Sequence, residues 1–206
     1  MRPQPRRPIH VRGRILGGNL PLVCVPLVGK TREAILGEAR AIPSISPDAI
    51  ELRIDAWEFV ERVSESVSVI GQVRNIVGDV PIILTCRGDW EGGFRKVPDD
   101  AKFAVYGETA RAGLVDFVDV ELAYGDRKIR AVHDSLKECP VSLIVSSHDF
   151  AKTPPKEVLF STLAAEIRAG ADVAKLAAMP RTEEDVLALL SATLSARREF
   201  PDVPMI

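Results

Sequence analysis

Short apolar runs rich in β-branched residues recur along the chain at intervals of 24 to 36 residues. They begin near positions 21 (PLVCVPLV), 49 (AIELRID), 81 (PIILTCR), 117 (FVDVEL), 141 (VSLIVSSHD), 172 (DVAKLAA) and 203 (VPMI). Between them the apolar period changes. Val63, Val67, Ile70, Val73 and Val77 repeat at helical spacing across 58–77, and Val158, Leu159, Leu163 and Ile167 do so across 155–169. Thr153-Pro154-Pro155 reads as one helix start, and Thr182 with Asp185 three residues later as another. Strands alternating with helices at this spacing predict parallel strands joined by helical crossovers.

Two architectures satisfy that pattern, an open doubly wound sheet and a (β/α)8 barrel. No GxGxxG follows the first run, which weakens the dinucleotide-binding version of the open sheet. The polar residues favour the barrel. Glu51, Arg53 and Asp55 alternate along the second run and so share a face, as do Asp119 and Glu121 on the fourth. Arg87 ends the third run, Ser147 and His148 end the fifth, and Lys175 lies in the sixth. A charged group near the C-terminal end of nearly every strand suits a barrel, whose active site is assembled from several strands at that mouth.

The segment PIHVRGRILGG, residues 8–18, predicts a small extra hairpin able to cover the opposite end. Ile206 falls inside the seventh run. The expected fold is therefore a (β/α)8 TIM-type barrel represented by about six βα units and the start of strand 7. Barrels of this type typically run to about 250 residues. The expected organisation is a basic arm over 1–8 and a C-terminally incomplete barrel domain over 9–206.

Composition narrows the function classes. A chain of 206 residues with a net charge of −2 fits one globular domain and carries no global signal for nucleic acid or a membrane surface. Arg2, Arg6, Arg7, Arg12 and Arg14 make the first 14 residues locally basic, which predicts a solvated arm. No apolar run reaches membrane-spanning length, and the start lacks the apolar core of a signal peptide. Cys24, Cys86 and Cys139 form no CxxC pair. They fit a reduced, cytoplasmic setting and are expected as small buried hydrophobes.

The chemistry centres on Lys175. Ala174 and Leu176 flank it, and an ammonium in apolar surroundings loses its proton more easily. A neutral lysine amine attacks ketones and forms an imine, which then serves as an electron sink. The competing reading is a structural lysine paired with Glu121, Asp119 or Glu51. His148 is the one histidine placed at a strand end, where it can act as general acid and base. Glu91, in CRGDWEGG, follows Arg87 in a loop whose two glycines allow a tight turn and close approach to a ligand. Arg53 and Arg87 suit carboxylates and hydroxyls, or pairing with Glu51, Asp55 or Glu121. Scattered histidines and cysteines give no metal-binding spacing.

The set ELRID, TCRGDWEGG, VDVEL, SSHDF and ADVAKLAAMP, in this order, resembles type I 3-dehydroquinate dehydratase from about residue 9 onward. The resemblance implies a barrel enzyme that converts 3-dehydroquinate to 3-dehydroshikimate through a lysine imine. By that resemblance Lys175 forms the imine, His148 is the general base and then acid, and Glu91 orients it. Glu51, Arg53 and Arg87 contact substrate. No cofactor or metal is implied, and a cytoplasmic homodimer is. Pro26 stands where some relatives carry a serine. The family's later arginine, serine and glutamine have no counterpart before Ile206, so a chain ending there is expected to turn over slowly. Two other readings remain on the residues alone, a class I aldolase or transaldolase and a non-catalytic dehydroquinate-sensing module.

Overall fold

The computed structural model describes residues 4–206. A two-stranded antiparallel hairpin, β1 (Ile9–Val11) and β2 (Arg14–Leu16), comes first. Arg12 and Gly13 at its tip both take positive φ, 42° and 74°, the backbone of a two-residue hairpin turn. Six strands follow, each adjacent to the next and all parallel: β3 (Cys24–Leu27), β4 (Ala49–Arg53), β5 (Ile82–Thr85), β6 (Phe117–Glu121), β7 (Ser142–Asp149) and β8 (Val173–Ala178). Five helices cross over between them: α1 (Arg32–Ile45), α2 (Val63–Val77), α3 (Asp99–Arg111), α4 (Asp126–Leu136) and α5 (Lys156–Ala169). Helix α6 (Glu183–Glu199) follows β8, and Pro204–Ile206 then returns alongside it, with a parallel bridge between Ala174 and Met205. The curled sheet is the expected partial barrel, and each of the six complete β runs becomes a strand.

Alternation along each strand sorts the faces. Ile50, Leu52, Ile82, Leu84, Val118, Val120, Leu143 and Val145 point outward and are buried under the helices. The inward face has two levels. Ile83, Phe117, Ile144 and Val173 fill the N-terminal end, where Ile9, Val11 and Leu16 of the hairpin pack beneath them. Asp116 ties that end together, accepting from Arg12 Nε and Arg74 Nη2 at 2.6 Å each and from the Ile82 amide at 2.8 Å. Above this apolar plug, every inward strand position toward the C-terminal end is polar on β4 to β7, and Lys175 is so on β8. A mostly apolar cavity of about 390 Å³ opens between the plug, α6 and Met205; Ile83, Phe117 and Leu189 wall it, and Cys24 and Arg197 are its polar lining besides Thr193.

Several sequence expectations are adjusted. The Thr182–Asp185 start is a true capping box, with Asp185 N–H donating to Thr182 and Asp185 accepting in return. Thr153 caps nothing: its hydroxyl donates to the Met179 carbonyl, and α5 starts from Pro155 without a side-chain cap. Of the three cysteines only Cys86 is buried, whereas Cys24 is exposed on the open edge strand β3 and Cys139 is half-buried. Within the basic arm, Arg2 lies outside the described residues, and the Arg6 amide donates to the Pro201 carbonyl at 2.6 Å.

Candidate active site

Lys175 occupies the middle of β8 directly opposite Ser146 on β7. Its sequence neighbours Ala174 and Leu176 face the other way, toward the helices, because successive strand residues point to opposite faces. Across the barrel its Nζ meets Asp119 Oδ2 at 2.9 Å and Glu51 Oε1 at 3.2 Å. Burial works against the ammonium, but Asp119 and then Glu51 outweigh it and raise its pKa above the ordinary lysine value. This reverses the expectation that apolar neighbours hold the amine neutral. Two of the three anticipated partners are present, and the third, Glu121, is engaged elsewhere.

Asp119 is fully buried on β6. Burial opposes its ionisation, yet Lys175 and Arg87 hold its carboxyl far below the usual carboxylate range. Arg87 Nη2 binds Asp119 at 2.8 Å, while Nη1 binds Glu121 Oε1 at 3.0 Å and Ser146 Oγ at 2.7 Å. Burial disfavours the Arg87 charge as well, but Asp119 and Glu121 more than compensate and raise its pKa. Arg87 sits two residues past the end of β5 and is only 3% exposed. Arg53 closes β4 and pairs with Asp55, which lies beyond the strand in a single 3-10 turn rather than continuing its inward face. Asp55 in turn accepts from the amides of Arg87 and Phe94 at 3.0 Å each, fixing both ends of the loop between them.

That loop delivers Glu91 to His148. Glu91 Oε2 accepts from the His148 amide at 3.0 Å and lies 3.1 Å from its ring Nδ1. A carboxylate at Nδ1 favours the tautomer that carries its proton there and leaves Nε2 as the base. Both glycines are required by the way the chain packs on itself. Gly92 takes φ +80°, and a Cβ on Gly93 would fall 2.2 Å from the Arg87 carbonyl oxygen. His148 shares the inward face of β7 with Ser146, one two-residue pleat of roughly 6.6 Å beyond it toward the mouth. Ser147 points outward. Lys175, His148, Glu91, Glu51, Arg53 and Arg87 therefore gather at one mouth. A cavity of about 360 Å³ between β7, β8 and α5 touches this group at Glu91 and His148 and is not lined by Lys175, Glu51, Arg53 or Arg87.

A match to the type I 3-dehydroquinase family covers residues 23–206. The chain belongs to this family. Among relatives of this type I 3-dehydroquinase, a 3-dehydroquinate dehydratase from Geobacillus kaustophilus is 40% identical over 199 residues, spanning 96% of this chain and 77% of the relative. One from Clostridioides difficile is 37% identical over 98% of this chain and 79% of its own length. The crystal structure of the Geobacillus kaustophilus 3-dehydroquinate dehydratase superposes with a TM-score of 0.93 at 39% identity, covering 98% of this chain and 78% of that one. That of the Clostridium difficile type I enzyme with covalently modified comenic acid also gives 0.93, at 38% identity, with 97% and 79% coverage.

Some members of the cluster were not anticipated. Ser146 bridges Arg87 and Asp119, and Thr85 donates to Glu51 at 2.7 Å. Lys102 on α3 is buried and pairs with Glu121 Oε2 at 2.6 Å. Its one sequence signal is position: it falls on the helical stripe of Val105, Tyr106 and Thr109, where an apolar residue is the norm. With it, the cluster, part of it buried and part opening at the mouth, holds four carboxylates (Glu51, Asp55, Asp119, Glu121) against four cations (Arg53, Arg87, Lys102, Lys175). Such pairing is what lets charges remain buried. No helix among the described residues is long and apolar enough to cross a membrane.

Proposed function

We propose that this chain dehydrates 3-dehydroquinate to 3-dehydroshikimate through an imine on Lys175. One observation carries the reading. A lysine stands on the inward face of β8, and a histidine tethered by a carboxylate stands one pleat further toward the mouth on the adjoining strand.

The steps follow from those positions. Lys175 Nζ first gives up its proton, then adds to the C3 ketone, and water leaves to give the imine. The protonated imine withdraws electrons from C2. His148 Nε2 takes the C2 proton, the electron pair moves toward the imine nitrogen, and an enamine forms. The C1 hydroxyl departs with the proton His148 has gained, so the pair of steps releases one water and restores the base. Hydrolysis of the imine frees the product and the amine. Glu91 keeps the imidazole in the right tautomer. Glu51 and Arg53, both partly exposed at the mouth, contact the substrate hydroxyls. Arg87 lies beneath them and meets substrate only from that depth, while holding Asp119 in place.

The same reading takes residues 9–206 as one barrel domain with a basic arm before it, and the molecule as a cytoplasmic homodimer. The residue types argue against an aldolase, since the histidine and its loop carboxylate are placed for an elimination. The experiment is an assay of 3-dehydroquinate consumption that follows the conjugated enone of the product by ultraviolet absorbance. Enone formation that disappears in His148→Ala supports the reading. Retro-aldol fragments, or binding with no turnover in a chain extended to full family length, oppose it.

A further inference from the structure

Lys102 is enclosed by α3 and β6. Its Nζ lies 2.6 Å from Glu121 Oε2 and 4.6 Å from the centre of the Tyr124 ring, with the Phe103 and Tyr106 rings at 5.6 and 5.8 Å. Such an enclosed ammonium needs its partner, and the partner needs it. Glu121 is itself fully buried. Its second oxygen accepts from Arg87 Nη1 at 3.0 Å and from the Gly88 amide at 2.8 Å. The Gly88 carbonyl then accepts the amides of Glu91 and Gly93, at 3.0 and 2.9 Å. Glu91 ends the series on His148.

An unbroken set of contacts thus runs from α3 to the imidazole. Tyr106, one helical turn beyond Lys102, works at the same place: its hydroxyl accepts from the Cys86 amide at 2.7 Å and donates to the Asp119 carbonyl at 2.8 Å. Without Lys102, Glu121 has Arg87 as its sole cation. Arg87 is shared with Asp119 and Ser146. Its redirection toward Glu121 would loosen the Gly88 turn from which Glu91 is launched.

We propose that Lys102 is a positioning residue for the reaction: by neutralising Glu121 it fixes the turn from Arg87 to Gly93 and so seats the Glu91 carboxylate on His148. The proposal rests on the assignment of Glu91 and His148 to the reacting site. It adds a buried residue from the outer ring of helices to the groups that set the base.

The test reads the His148 ring nitrogens by 15N NMR at a pH where the ring is neutral, which requires no turnover. The wild type is expected to show the tautomer protonated at Nδ1, and Glu91→Ala the mixed pattern of a free imidazole. Lys102→Met is expected to move the shifts at least half-way to the Glu91→Ala pattern. Val105→Ala, which weakens the same helix stripe without touching Glu121, should leave them unchanged. If Lys102→Met does not fold, Lys102→Gln is read instead, since its amide still donates to Glu121 without the charge. A wild-type pattern retained in the Lys102 variant overturns the proposal alone. A wild type that already shows mixed tautomers removes the Glu91–His148 pair, and overturns the site assignment together with the proposal.

Discussion

Lys175 Nζ and Asp119 Oδ2 lie 2.9 Å apart, and that carboxylate oxygen also takes Arg87 Nη2 at 2.8 Å. The nucleophile therefore rests as a paired ammonium. The fraction of free amine rises about tenfold per pH unit below the lysine pKa. Imine formation is expected to climb accordingly through the neutral range. Asp119→Asn removes the largest influence holding the proton on, so the pH of half-maximal imine trapping should fall. Breaking a buried pair also leaves Arg87 underused, at a cost of about 3–5 kcal/mol. For the wild type the signs are opposite for the two partners. The stabilisation from Asp119 is present above the ordinary aspartate pKa and lost as pH falls through its depressed value. That from Lys175 is present below the ordinary lysine pKa and lost as pH rises through its raised value. Equilibrium unfolding of both proteins across pH checks these signs.

Gly93→Ala should act on the chemistry through the loop. The added Cβ would meet the Arg87 carbonyl at 2.2 Å and the Gly88 backbone at 2.8 Å, so backbone has to move. A shift of about 1 Å in Glu91 costs on the order of 100-fold in rate. The enone assay should show that loss in kcat, with a thermal midpoint that moves by only a few degrees.

Glu166 on α5 is fully buried and neither carboxyl oxygen has a hydrogen-bond partner. Burial is the main force on it. Ser147 and the Lys175 backbone are near enough to ease the charge slightly, yet neither makes a hydrogen bond of normal geometry, and the pKa is pushed up to about 9. The unfolded carboxyl ionises near its ordinary value. The fold is thus at its best below that value and loses stability as pH rises through about 9. Glu166→Met, which keeps the length and removes the titratable group, should raise stability at pH 8 by on the order of 3 kcal/mol. The gain should shrink toward pH 5. Denaturant unfolding at the two pH values measures it; equal gains at both would refute the assignment of a neutral buried acid.

The strand positions and the hairpin were readable because their signal is local. A β run bounded by turn residues needs no knowledge of its neighbours, and neither does the Thr182–Asp185 capping box. Lys175 shows where local reading fails. Ala174 and Leu176 are adjacent in sequence but belong to the opposite face of β8, so they say little about what surrounds the amine. Asp119 and Glu51 set that environment from 56 and 124 residues away. Lys102 and Glu166 were hidden for a related reason. Each occupies a core-facing helical position, and a single charged residue on such a stripe reads as an edge position until the opposing strand is known. The EGG loop was legible as a tight turn. That Gly93 yields to the Arg87 carbonyl depends on how the chain folds back on itself.

The central claim, that Lys175 forms an imine with the substrate ketone, is tested most directly by borohydride reduction in the presence of 3-dehydroquinate, followed by peptide mass spectrometry. The account predicts one stable adduct, on the peptide containing Lys175, that is absent from Lys175→Ala. An adduct on another lysine, or none in a chain extended to full family length, would contradict it.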